Sequence, residues 1–100
     1  PSPAVAEVFV AAVDESVRPH AFAIAAALRA AGIAAELDHQ ARSLKSQFKQ
    51  ADRAGARFVV IAGPDEVAEG QVTVRDMGTK EETRVAIDDV AAHAVAALGR

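Results

Sequence analysis

The sequence contains no cysteine, tyrosine or tryptophan, a single methionine and four phenylalanines. Without cysteine it has neither a disulfide framework nor a thiolate metal site. Glycine is sparse, at six residues in 100, and no GxGxxG or GxxxxGK[ST] run occurs. A glycine-rich cradle for a dinucleotide or triphosphate is therefore excluded. The seven serines and threonines include no GxSxG nucleophile elbow. His20, His39 and His93 are scattered without ligand spacing, so surface histidines are expected rather than a metal centre. No apolar run reaches membrane-spanning length, and no basic segment followed by an apolar stretch resembles a signal peptide. These absences lead us to expect a soluble cytoplasmic domain with no metal, no cofactor and no catalysis of its own.

Positive charge is also in short supply. Eleven Lys and Arg face fourteen Asp and Glu, giving a net charge of −3 and a pI near 5.5. Bulk attraction to DNA is excluded on that balance, because phosphate affinity scales with the cations set against the backbone. A local basic footprint is not.

What is present is alanine and short apolar runs, 51% apolar residues in all, enough for one small domain with one core. The opening Pro-Ser-Pro-Ala reads as linker or edge (residues 1–6), with a single domain over 7–100. Glu7–Val13 is an apolar run typical of a buried strand. Ser16 is a plausible helix N-cap, Pro19 fits a first turn, and Ala21, Ile24, Ala25 and Leu28 share one helix face ending before Gly32. Ile33–Leu37 follows as a strand, which predicts a parallel β-α-β unit.

Ser43 caps a central helix that ends at Ala54-Gly55, with Leu44, Phe48 and Ala51 on its inner face. Arg57–Ala62 is the central strand, buried on both faces, and Gly63-Pro64 stops it. It ends without aspartate, so a phospho-accepting receiver domain is not expected. Gln71–Met77 and Glu82–Ile87 alternate and are joined by the short turn Gly78-Thr79-Lys80, which makes them an antiparallel hairpin. Asp88 is expected to cap a last helix to about Leu98. The expected fold class is α/β: a three-layer α/β/α sandwich with a mixed five-stranded sheet, three parallel strands plus a C-terminal antiparallel hairpin.

Three features bear on function, and each has a plain structural alternative. Arg42, Lys45, Lys49 and Arg53 recur at helical spacing and could follow a nucleic acid backbone, or form an ordinary solvated helix face. Ser43 at the helix start adds a hydroxyl and free N–H groups that favour anions. Glu66, in the loop after the central strand, could accept from a base amino group or sit at a turn. Arg75 ends its strand and could read or stack on a base, or pair with Asp76, Glu81 or Glu82.

The ordered set LRAAGIAAELD, then ARSLKSQFKQADRAGARFVVIAGPDEVAEGQVTVRDMGTKEE, resembles the anticodon-binding domain of class II aminoacyl-tRNA synthetases. The resemblance covers about Val8 to Ala97 and is nearest to the histidine-specific members, with threonine, proline and glycine members as alternatives. It implies a tRNA anticodon-recognition module of an ATP- and Mg-dependent histidine–tRNA ligase, a homodimer whose catalytic domain lies outside this chain. By position it places Glu66 and Arg75 near anticodon bases and brings forward Arg42, Ser43 and Lys45 at the start of the central helix, while Lys49 joins these tRNA-contact candidates from the cation stripe alone. Some members carry asparagine near the helix start, where this chain has Ala41. Phe22 and Phe48 are expected in the core, leaving hydrogen bonding and arginine stacking to read the bases. Two other readings stay open: an appendage of the same fold that mediates protein contacts, and a small-molecule binder at the carboxyl ends of the parallel strands.

Overall fold

Val8–Ala12 (β1) is buried along its whole length, and the rest of the chain is laid down on both sides of it. The computed structural model describes residues 6–100. The expected linker lies outside the described residues except for Ala6, which is buried. After β1 come α1 (Arg18–Ala30), β2 (Ala35–Leu37), α2 (Leu44–Ala54), β3 (Phe58–Ala62), α3 (Pro64–Ala68), β4 (Gln71–Asp76), β5 (Glu82–Ala86) and α4 (Val90–Ala97). The strands form one sheet in the order β2-β1-β3-β4-β5. β1 pairs in parallel with β2 and β3, while β4 is antiparallel to both β3 and β5. The mixed five-stranded sandwich read from the sequence is the fold observed.

Period-two alternation divides the core between the sheet's faces. Val8, Val10, Val60, Val72, Val74 and Val85 point to one side, where they meet Ile24, Leu28, Val90 and Ala94 of α1 and α4. Phe9, Ala11 and Val59 point to the other and meet Ala51, Leu44 and Phe48 of α2. Both sheet edges are blunted: β2 is only three residues long, and Glu82, Thr83 and Arg84 of β5 are exposed.

Four local expectations are corrected. Ser16 does not cap α1. It sits inside a 3-10 turn (Glu15–Val17), and the Asp14 carboxylate accepts its N–H at 2.9 Å and its hydroxyl at 2.5 Å. A carboxylate already placed two residues upstream is the stronger acceptor. Asp88 likewise lies within a 3-10 turn (Ile87–Asp89), and α4 begins with no side-chain cap. Glu66 is on the short helix α3, not in a loop, because Pro64 presets a first turn. Phe22 is outside the core, 46% exposed, with the Arg18 guanidinium 5.6 Å from its ring centroid.

Candidate nucleic-acid interface

The helix α2 covers β1 and β3 but not the hairpin. Register therefore leaves Thr73 and Arg75 of β4, with Glu82 and Arg84 of β5, on the α2 side of the sheet and partly or fully exposed. Between α2 and the hairpin lies an open groove of about 410 Å³. Lys45, Lys49 and Asp52 line it from α2, and Arg75, Met77 and Lys80 from the hairpin. Lys45, Lys49 and Lys80 are all the lysines the chain has, and among the described residues none of them forms an ion pair. Arg75 lies over Phe48, its Cζ 5.1 Å from the ring centroid, and only loosely approaches Glu82 at 3.8 Å. Its Nε is buried and has no acceptor among the described residues.

A second cluster sits at the carboxyl ends of β1 and β3. Ser43 caps α2, its hydroxyl accepting the Ser46 N–H at 3.2 Å. The loop before it is held from below by two buried polar side chains, Asp38 and Gln47. Asp38 accepts the Arg42 N–H at 2.6 Å, the Arg42 guanidinium at 3.2 Å and the Gln50 amide at 3.2 Å. Gln47 accepts the Ala12 N–H at 3.0 Å and donates to the carbonyls of Ala12 and Arg42, both at 2.8 Å. Val13, Arg18, Arg42 and Ser43 surround a smaller cavity there, of about 160 Å³. Glu66 folds back against Gly63 beside Val13, where a Cβ on Gly63 would collide with its carboxylate.

Burial pushes the Asp38 carboxyl up, but the N–H groups of Arg42 and Gln40, the Gln50 amide and the Arg42 guanidinium outweigh it and hold the carboxyl below its ordinary range. A carboxyl lowered by folding stabilises the fold above its unfolded pKa of about 3.9, and that contribution is lost as pH falls through the folded value. Asp38→Asn should therefore flatten the acid side of the stability curve. Urea unfolding followed from about pH 6 to about pH 3 checks this. Equal acid slopes in parent and variant would remove Asp38 as the loop's electrostatic anchor.

The residues singled out in the sequence thus fall into two places. Lys45, Lys49 and Arg75 share the groove. Arg42 and Ser43 line the smaller cavity with Val13, and Glu66 lies against Gly63 next to Val13. Arg42 precedes α2 and is engaged by Asp38 and Gln40, while Arg53 faces another hollow, beside Glu36 and His39. The four cations are not one continuous row. Arg75 pairs with Val59 and Glu66 lies beyond Ala62, three residues or about 10 Å farther along the strand. That is too far for one base edge to touch both. Sequence reasoning missed Lys80, Met77, Asp52 and Gln47. The only signal for Lys80 and Met77 was their place beside a hairpin turn.

A family model described as the anticodon binding domain matches residues 7–96. The chain belongs to this family. The anticodon-binding domain here is 49% identical over 85 residues to the histidine–tRNA ligase of Anaeromyxobacter sp. (strain K), a match covering 85% of this chain and 20% of that protein. It superposes on the histidyl-tRNA synthetase from Nostoc sp. PCC 7120 with a TM-score of 0.85 at 32% identity, over 93% of this chain and 22% of that one. The apo histidyl-tRNA synthetase of S. aureus gives 0.83 at 29%, over 90% and 23%. The chain spans about a fifth of the length of the curated relatives it matches. Among the described residues no helix is long and apolar enough to cross a membrane, and no cluster of His, Asp and Glu is placed to hold a metal ion.

Proposed function

We propose that this anticodon-binding domain holds the anticodon loop of a tRNA, and that it serves a longer histidine–tRNA ligase. The observation that carries the reading is the groove. A chain of net charge −3 places every lysine it has, and Arg75 with them, around one open cleft. Lysines with no ion pair among the described residues are available to phosphates, and Arg75 on Phe48 offers a plane and donors to a splayed base. The rim residues Arg42, Ser43 and Glu66 extend the footprint to neighbouring nucleotides. Aminoacylation, with its ATP and Mg, would belong to a catalytic domain outside this chain, as would the dimer contacts of a cytoplasmic enzyme. The exposed Phe22, with Arg18 and His39 beside it, favours a second reading, a protein contact through α1.

Titrating the chain with an anticodon stem-loop at two salt concentrations separates the readings. Bound RNA should protect Lys45, Lys49 and Lys80 together from acetylation, read by mass spectrometry. Lys49→Ala should weaken all RNAs alike and lower the salt slope by about one. Acetylation of all three lysines unchanged by saturating RNA would place the RNA elsewhere, and no RNA affinity even at low salt would favour the protein contact.

A further inference from the structure

Asp52 stands in an unfavourable place for an acid and without an ion pair among the described residues. It occupies the C-terminal half of α2, where the helix dipole disfavours an acid. It lines a groove otherwise carrying four cations, yet among the described residues it pairs with none of them. Its charge opposes the phosphates that the lysines would attract. Across the groove the Arg75 guanidinium is stacked on Phe48, and Met77 supplies an apolar edge. The open groove, about 410 Å³, has room for a single base.

Resting on the anticodon-loop reading above, we propose that this groove seats one unstacked guanine and that Asp52 is the residue that selects it. The base would stack against Arg75, the chain having no tyrosine or tryptophan to do so. A carboxylate presents two acceptors side by side and no donor. On the Watson–Crick edge only guanine matches that with two adjacent donors, the ring N1–H and the exocyclic amino group. Adenine and cytosine set an amino group beside a bare ring nitrogen, whose lone pair the carboxylate repels. Uracil sets one donor between two carbonyls. Asp52 thus lowers affinity for RNA in general while favouring one base.

The test uses fluorescence anisotropy with hairpin RNAs whose loop carries one guanosine among uridines, and the same hairpins with inosine, which lacks the amino group, at that position. The chain should bind the guanosine hairpin about tenfold tighter than the inosine one. Asp52→Asn, at an exposed position, should keep the parent's thermal midpoint and erase that preference. It should weaken the guanosine hairpin while strengthening the inosine and all-uridine ones, because a charge facing phosphate is gone. Equal affinity of the parent for guanosine and inosine overturns the assignment, as does an Asp52→Asn variant that gains affinity for every hairpin alike. In both cases RNA binding itself stands. Failure to bind any hairpin at low salt removes the anticodon-loop reading, and the guanine seat with it.

Discussion

Gln47→Leu should destabilise the domain by about 3–5 kcal/mol, although it replaces a buried amide by a buried hydrocarbon. β2 ends at Leu37, which pairs with Val10, so Ala12 two residues farther along β1 has no strand partner on that side. The Gln47 amide takes the place of the missing strand, closing both polar groups of Ala12 and the carbonyl of Arg42. Leucine leaves three backbone groups without partners, and each orphan costs about 1–3 kcal/mol. Gln47→Ala should cost less, about 2–3 kcal/mol, because the adjoining rim cavity can admit a water to bridge them. For a domain of this size the leucine variant should lose more than about 12 °C in Tm. Calorimetry on the two variants decides the matter. A leucine variant as stable as the parent would show that the amide is dispensable.

Arg75→Ala should lower affinity for an anticodon stem-loop by about 1–3 kcal/mol, roughly 5- to 150-fold, and relax its base preference. Stability should move little or rise. The substitution gives up an arginine–phenylalanine contact worth about 0.5–1 kcal/mol, and it also removes a buried donor with no acceptor, which costs about 1–3 kcal/mol while it remains. A residue kept for structure would show the opposite pair of signs. Arg75→Lys should not restore binding, because an ammonium offers neither the planar fork nor the stack on Phe48. Anisotropy titrations beside thermal melts read both axes. Unchanged affinity and preference in the alanine variant would withdraw Arg75 as a base reader.

The fold was legible because its signals are local and redundant. The apolar run at β3, the alternation at β4 and β5 and a turn too short for a crossover fix strand type and direction without any long-range knowledge. The helix starts were less legible. Asp14 and Ser16 are both competent caps, and only the backbone path into the 3-10 turn decides which one accepts. Phe22, a large aromatic on α1, is expected in the core, but it lies off the face that Ala21, Ile24, Ala25 and Leu28 share, so those four are buried and it is exposed. The candidate site was half legible. Lys45 and Lys49 could be grouped by helical spacing alone, but Lys80 joins them only through the fold of a hairpin 31 residues later. Spacing also promised a row of four cations, and it could not anticipate that Asp38 would claim Arg42 before α2 begins. Gln47 was invisible, since nothing in a sequence marks a glutamine that stands in for a strand.

The two margins of the sheet carry a consequence for assembly. One margin is too brief to template a further strand, and the other is fringed with opposed charges that a newcomer would have to strip of water. Copies of this domain are thereby disfavoured from zipping together edge to edge. A contact between copies of this domain would have to use surfaces other than these two margins.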